Sequence, residues 1–580
     1  MGKLFSDQSV DPAQSGRGGG EPYQPGVFGG LPIASPRAKL PVSDAAALTA
    51  QLAKQHQEPV FLLKDVQRHL TALNRAAVKP ERRLEFVDAA LRSAYAAVAR
   101  LVRKFHLQQS GGQHSAEEQN ALRECLSAVD AIIVGYKLVF RDDYPSSDSG
   151  AARNRLLQCG FRLLEVLRLE QRVRALRYQK LPAKSWRDVN QAYVSLLTRR
   201  LIDEELELTG TLGIAAPDSE GGKQVRTTSP RQLYVSIQLF GLLDPMTWPR
   251  DLMHMPDAYF SLLKTHIHVR ALPRGSPLAE GCVVIYADSD APPSFQQRKE
   301  TTAPALFIDL LPLQVRLAQD RKSVTDLKQI GALEPARLPK PLAAISEADV
   351  LPVLDAMQKG FQARERRHVR RSVYGGTQLR LYMGYRETYR LLLDYANGAS
   401  SDVMRRREFV DALAGQSAML AEDQAAHLSR QWSIMDESDG GLRVSTDESD
   451  FTQDVQVGML VALCAFQEAN SDPELGYIAR LHRPREGQLD LGVVRLSRHA
   501  EAAVVQDNQG QKAQTGRPAI LIRDIEGDAW RLILSSRDAF GKGAPLLLTR
   551  GDSQHIPLRL GEPLVRKRGF EVFEFRAPGM

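Results

Sequence analysis

Cysteine is scarce: the chain has 4 in 580 residues, Cys125, Cys159, Cys282 and Cys464, far apart and without a CxxC spacing. That excludes a disulfide framework and a cysteine-built zinc site and fits a reducing compartment. Long apolar runs are missing as well. No stretch approaches the roughly 20 uninterrupted apolar residues that cross a bilayer, and no charged segment followed by an apolar one marks a secretory signal. The expectation is a cytoplasmic chain with no transmembrane segment. Aromatic residues make up only 7% and the net charge is +7 spread over the whole length. No basic stripe interleaved with aromatics stands out, so nucleic acid is not an expected partner. Catalytic signatures are absent too: there is no GxSxG elbow, HExxH or dinucleotide fingerprint, and Gly541-Lys542-Gly543 lacks the P-loop spacing. His266 and His268 fall on one strand face, yet no third ligand stands at a recognisable spacing. The chain therefore reads as a non-enzyme without metal or cofactor.

What is present is an ordinary globular composition, 43% apolar and 25% charged, on a chain too long for one hydrophobic core. Residues 1–46 are rich in Gly, Pro, Ser and Gln and include Gly18-Gly19-Gly20, which predicts a disordered lead-in. Apolar residues then recur in steps of three and four at Leu84, Val87, Leu91, Tyr95, Val98, Val102 and Phe105. Two more stripes follow, Leu122 to Val139, with Ser115 and Glu118 as a capping box, and Leu156 to Tyr178. After Pro182 the helical period resumes from Trp186 to Leu201. Several amphipathic helices in a row must bury their stripes on one another, so residues 47–215 predict a helical bundle or helical-pair scaffold. Trp186 and Tyr193, seven apart on one face, read as core packing.

A period of two at Leu233, Val235, Ile237 and Leu239 predicts a strand, and short apolar runs at 281–286 and 305–311 predict more, giving a small mixed α/β segment over 231–330. Pro335, Pro339 and Pro341 mark 331–363 as a linker. Residues 378–397 and 402–429 have mostly helical composition, whereas from Trp432 onwards short strands dominate, at 455–463, 489–494, 520–523, 530–534, 546–549 and 570–575. Such a run indicates a barrel or sandwich. The fold class is therefore multidomain α + β: helical first half, mixed segment, β-rich end.

The densest feature is a run of arginines, Arg364, Arg366, Arg367, Arg370 and Arg371, followed later by Asp436, Ser438 and Gly441. Arginine offers a planar donor fork for phosphate and a face for a purine. Asp and Ser bind guanine edges and amides, and Gly441 suits a tight corner of positive φ. Two RxxxR spacings are available, Arg366 with Arg370 and Arg367 with Arg371; the second is preferred because Ser372-Val373 follows as a first strand.

RxxxR followed by DxSxxG resembles the paired signature of the PilZ family, bacterial modules that bind cyclic di-GMP. Val457 to Leu460, Gly476 to Arg480 and Leu491 to Val493 look like the later strands of its barrel. Leu181-Pro182, Trp186, Asn190 and Tyr193 look like a helix-pair element of its large forms. The resemblance covers about residues 364–500 and implies a β-barrel with a helical insertion at about 378–430, the residues 501–580 being an appended β unit. It implies Arg366, Arg367, Arg370 and Arg371 on phosphate and base, and Asp436, Ser438 and Gly441 on guanine. One departure stands out: Arg371 precedes Asp436 by 65 positions (436 − 371), more than a couple of strands require. The implied function is a non-enzymatic cyclic di-GMP effector acting on a protein partner through the helical region. The alternative is a degenerate PilZ-like adaptor that docks proteins in a motility, pilus, secretion or envelope assembly without nucleotide.

Overall fold

The computed structural model describes residues 24–577 except 36, 55–57, 108–115, 148–149, 211–226, 263–265, 299–302, 331, 340–341, 344, 364–370, 373–376, 400–430, 448–451, 453–454, 466–471, 508–515, 526–528, 539, 551–553 and 568. The chain divides into two compact units, one of residues 1–245, 250–345 and 353–363, the other of residues 246–249, 346–352 and 364–580.

The first unit is built on six helices: α1 (Ala45–Ala53), α2 (Pro59–Arg75), α3 (Pro80–Leu107), α4 (Ala116–Asp143), α5 (Gly150–Leu176) and α6 (Ala183–Thr198). The stripes behave as their periodicity predicts. Leu84, Val87, Leu91, Val98 and Val102 of α3, and Leu122, Val129, Ile132, Tyr136 and Val139 of α4, are buried. Helix α4 packs on α2, α3 and α5, and α5 in turn on α6. Ser115 of the expected capping box lies outside the described residues. From Cys159 onwards helix α5 is mostly buried, and its buried polar residues are held in pairs. Glu165 accepts from Arg162 at 2.8 Å and from the Thr209 amide at 2.7 Å, and Arg174 holds Glu170 at 2.6 Å.

A two-residue pair, β1 (Leu206–Glu207) and β2 (Thr227–Thr228), leads into α7 (Pro230–Leu242). Here the strand expected at 233–239 is corrected to a helix. Ser229 and Gln232 form a reciprocal capping box with Pro230 in the first turn, and residues 233–240 are buried on every side. A helix buried all round shows no amphipathic period, so its apolar positions mimic alternation. After α8 (Met255–Leu262), the strands β3 (Val269–Leu272), β4 (Cys282–Tyr286) and β5 (Ala305–Asp309) form an antiparallel sheet in the order β3-β5-β4, followed by α9 (Leu311–Gln329). The expected linker at 331–363 holds a helix, α10 (Glu347–Gly360). Pro352 lies inside it, but burial of Val350, Val353, Leu354 and Met357 outweighs the lost backbone bond. The lead-in also needs correction: residues 24–35 are fixed against the helices, with Phe28 only 7% exposed.

The second unit contains two closed six-stranded barrels. The first uses β7 (Gln378–Met383), β8 (Gln431–Ser438), β9 (Gly441–Asp447), β10 (Leu460–Ala465), β11 (Glu474–His482) and β12 (Gln488–Ser497), in the order β8-β7-β10-β11-β12-β9 and closed by pairing of β9 with β8. The short β6 (Arg371–Ser372) pairs with β8 beyond the end of β7. The second comprises β13 (Ala500–Asp507), β14 (Arg517–Arg523), β15 (Trp530–Ser535), β16 (Pro545–Arg550), β17 (Gln554–Lys567) and β18 (Phe570–Arg576), in the order β13-β14-β15-β18-β17-β16. This barrel spans residues 500–576. Full closure removes the exposed edges that open sheets must protect.

Residues 378–383, expected as helical, are strand β7; the helical insertion begins at α11 (Tyr385–Ala399), and residues 400–430 lie outside the described residues. Helix α11 packs on β7 and β10 of the first barrel and on β13 and β14 of the second. Tyr389 and Leu392 join Leu460, Leu475, Ile520, Ile533 and Phe570 in one apolar cluster between the barrels. The Tyr385 hydroxyl donates to the Pro518 carbonyl at 2.8 Å. The insertion is thus the filling between two barrels.

Candidate ligand-binding site

Strand register sets Arg371, the one described residue of the arginine run, against the strand that carries Asp436 and Ser438, 65 positions further on (436 − 371). Antiparallel pairing sets Arg371 across from Glu437 and Ser372 across from Asp436. The chain leaves this point through β7 and α11 and returns as β8, so its length is taken up without parting the two segments. Arg366, Arg367 and Arg370 lie outside the described residues, and for Arg371 only the backbone position is described.

The expected DxSxxG turn is a hairpin whose two strands belong to the barrel. Asp436 and Ser438 occupy the last turn of the pleat in β8, Asp439 and Gly440 make the turn, and Gly441 opens β9 opposite Ser438. Residues two apart in a strand share a face, so Asp436 and Ser438 lie together, with Arg443 across from Asp436. The Ser438 hydroxyl donates to the Gly441 carbonyl at 3.2 Å. Gly441 does not supply the positive-φ corner expected of it; its φ lies outside that region. Its requirement is close approach: a Cβ there would stand 2.2 Å from the Val493 carbonyl oxygen, because the hairpin tip docks on β12.

Arg495 on β12 fixes that docking and had no signal in the sequence, where a lone arginine in an apolar strand reads as a solvated residue. Its side chain is 5% exposed. Nη1 donates to the Ser438 carbonyl at 2.9 Å, Nη2 reaches Glu437 at 2.7 Å and Nε reaches Glu474 at 2.7 Å, while its backbone amide bonds the Gly440 carbonyl at 3.0 Å. Burial works against the charged guanidinium, but bonding to Glu437 and Glu474 prevails and raises its pKa. A fork donor with this reach is what arginine offers and lysine does not.

A second group on β12 also reaches the hairpin. Asp490 is 3% exposed and accepts from Ser445 at 2.7 Å and from Arg443. Arg443 also faces Asp436 at 4.0 Å. Its side chain remains 43% exposed, so a guanidinium held by the buried Asp490 is presented to solvent beside Asp436. The barrel surface therefore offers an anchored cation, an acidic acceptor and a hydroxyl on one hairpin, with the end of the arginine segment paired alongside. This is a chemistry for phosphate and a purine edge.

Comparison with known families adds an independent finding for the other unit. Residues 40–272 match the family model of the N-terminal domain of the cyclic-di-GMP receptor FimW. No curated protein and no solved structure matches the chain. The matched region runs from just before α1 to the end of β3, so the helical half is similar to part of a receptor. Within it, the residues expected as a helix-pair element are core. Trp186 and Tyr193 are buried, and Tyr193 stacks on Tyr234 at 3.9 Å. Asn190 accepts from the Tyr234 hydroxyl and from Gln238, both at 2.9 Å, and donates to the Ser289 carbonyl at 3.0 Å. It thereby ties α6 to α7 and to the loop after β4.

Among the described residues no helix is long and apolar enough to cross a membrane, and no group of three His, Cys, Asp or Glu side chains is placed to hold a metal. His266 and His268 are exposed on either side of buried Ile267.

Proposed function

We propose that the chain is a non-enzymatic cytoplasmic receptor for cyclic di-GMP, in which the first barrel is a PilZ-like ligand module and the helical unit engages a protein partner. The pairing of Arg371 and Ser372 with Glu437 and Asp436 carries this reading, because it sets the last residue of the arginine run beside the hairpin despite the long insertion. The similarity of residues 40–272 to a receptor domain supports the same ligand from the other half of the chain. The guanidinium groups of Arg366, Arg367, Arg370 and Arg371 would take phosphate and stack on guanine, while Asp436 and Ser438 read the base and Gly441 lets the hairpin seat. Arg371 stands at the register position of Glu437, one step from Asp436, so the choice between the two RxxxR spacings is best read from single-alanine variants. Isothermal titration of full-length protein with cyclic di-GMP tests the proposal: saturable binding, lost on substitution of the arginines, is expected.

One observation favours a ligand-free adaptor as second reading. The Ser438 hydroxyl is spent on the Gly441 carbonyl and Asp436 faces Arg443, so the hairpin is satisfied without nucleotide. Under that reading the arginine variants retain wild-type function and no binding heat appears.

A further inference from the structure

Residues 24–35 lie as a strap across α4 and α6, turning at Pro25-Gly26 and bending at Gly29-Gly30, with Gly26 and Gly30 at positive φ, and the contacts that hold them have a particular character. Three of the four polar contacts involve strap backbone and helix side chains: the Gly26 amide donates to Ser195 Oγ at 2.8 Å, Gln191 donates to the Gln24 carbonyl at 2.6 Å, and Lys137 Nζ donates to the Gly29 carbonyl at 3.2 Å. The fourth, between the Ser35 amide and the Arg75 carbonyl at 2.8 Å, is backbone to backbone. Phe28 alone supplies a large buried side chain. Its ring meets Phe140 edge-on at 5.4 Å, with Lys137 over its face, also at 5.4 Å. Gly26 adopts φ +81° and passes so close to Tyr144 that a Cβ would stand 2.7 Å from the ring.

The floor of this groove is prepared for such a peptide. Lys137 and Asp188 form an ion pair at 2.9 Å with both side chains under a tenth exposed. Lys137 has further N–H groups to give to a peptide carbonyl, and Ser195 and Gln191 offer an acceptor and a donor at peptide spacing. That is recognition of a peptide backbone that turns at glycine on either side of one aromatic anchor.

The strap itself is weakly committed to the groove. Val27 is 60% and Ile33 93% exposed, and Gly29 and Gly30 are exposed. Ordering a dozen backbone residues costs several times what one buried aromatic returns, so the strap depends on its few hydrogen bonds as well as on Phe28. The region matched by the receptor-domain model begins at residue 40, so it contains the groove and leaves the strap out.

We propose that the groove formed by Lys137, Phe140, Tyr144, Asp188, Gln191 and Ser195 is a docking site for a glycine-turned Gly-aromatic-Gly peptide segment of a protein partner, and that the chain's own strap is its competitive occupant. The proposal rests on the reading that the helical unit engages a partner. Its test contains no nucleotide, so failure of cyclic di-GMP binding would not affect it.

The experiment uses full-length protein and a fluorescent synthetic peptide of residues 23–35. In the Phe28→Ala protein the strap no longer competes, so the peptide binds at least about tenfold more tightly than to wild type, whose apparent affinity is lowered by the closed fraction. The same peptide carrying Phe28→Ala binds at least about tenfold more weakly. Equal affinity of wild type and Phe28→Ala protein, or equal binding of the two peptides, overturns the proposal. So does absence of binding to a Phe28→Ala protein that melts like wild type. Hydrogen exchange on the wild type guards against a folding artefact: strap amides are expected to exchange at least about 100-fold faster than those of α4 and α6, and protection equal to the helices overturns the opening.

Discussion

Replacing Arg495 with Ala removes the clamp that seats the hairpin, and the structure sets the size of the effect. The guanidinium carries bonds to Glu437, Glu474 and the Ser438 carbonyl from a side chain 5% exposed. Bonds to charged groups contribute about 1.5–3 kcal/mol each in favourable cases, but Glu437 and Glu474 are 44% and 32% exposed and regain water when released. With that screening discount the net loss is about 2–3 kcal/mol. For a unit of about 200 residues this is a fall in Tm of roughly 5–10 °C. Arg495→Lys restores the charge but not the fork, so it recovers less than half of the loss. Differential scanning calorimetry reads the stability, and hydrogen exchange over residues 436–443 reads the hairpin directly. A calorimetric transition within about 1 °C of wild type, together with unchanged exchange at Asp439 and Gly440, would refute the clamp.

Gly441→Ala sets a Cβ against the Val493 carbonyl and cannot be relieved by a side-chain rotation, so it costs about 1–3 kcal/mol; a melting temperature equal to wild type would show that β12 yields freely. Asn190→Leu leaves the Tyr234 hydroxyl and the Gln238 amide without their acceptor in a fully buried site and lowers stability by about 2–4 kcal/mol, measured by denaturant unfolding of the full chain. Tyr385→Phe deletes the bond from α11 to the Pro518 carbonyl and costs about 1 kcal/mol, with faster exchange in α11 but not in α4. Asp257 provides a pH test. Burial alone would raise its pKa, but Arg172, bonded at 2.6 Å, and Arg168 hold it well below the usual carboxylate range. A depressed folded pKa contributes stability that is present above the unfolded value of about 4 and lost as pH falls through the folded one. The stability difference between wild type and Asp257→Asn is therefore constant from neutral pH to about 5 and shrinks below about 4; a difference that grows on acidification contradicts the assignment.

The parts of the fold legible in the sequence are those where one face differs from the other. Helix α3 carries a solvated face and α4 a half-exposed stripe at Arg123, Ser127, Asp130 and Val134, so Leu84 to Val102 and Leu122 to Val139 declare their period. Helix α7 is buried all round and lost that contrast, which is why its residues 233–239 imitated a strand. Strand β17 went unread because Pro557, Gly561 and Pro563 punctuate it; in the barrel Gly561 and Pro563 fall at register shifts between Leu560, Pro563 and Val565, while Pro557 pairs regularly with Leu547. Strand β13 is rich in alanine, which carries little β signal. The strap at 24–35 has the composition of a disordered segment, and a single phenylalanine decides its place. At the candidate site, Asp436, Ser438 and Gly441 were legible as a motif. Their support was not, because Arg495, Asp490 and Ser445 come from positions whose adjacency exists only through barrel register.

The measurement that bears most directly on the account is isothermal titration of the purified full-length chain with cyclic di-GMP, beside single alanine variants at Arg366, Arg367, Arg370 and Arg371. Saturable binding in the wild type, abolished in the pair of variants that share one RxxxR spacing while their thermal unfolding stays unchanged, is the expected result. Absence of heat up to about millimolar ligand, where binding would be only about 4 kcal/mol, or undiminished affinity in all four variants, contradicts it.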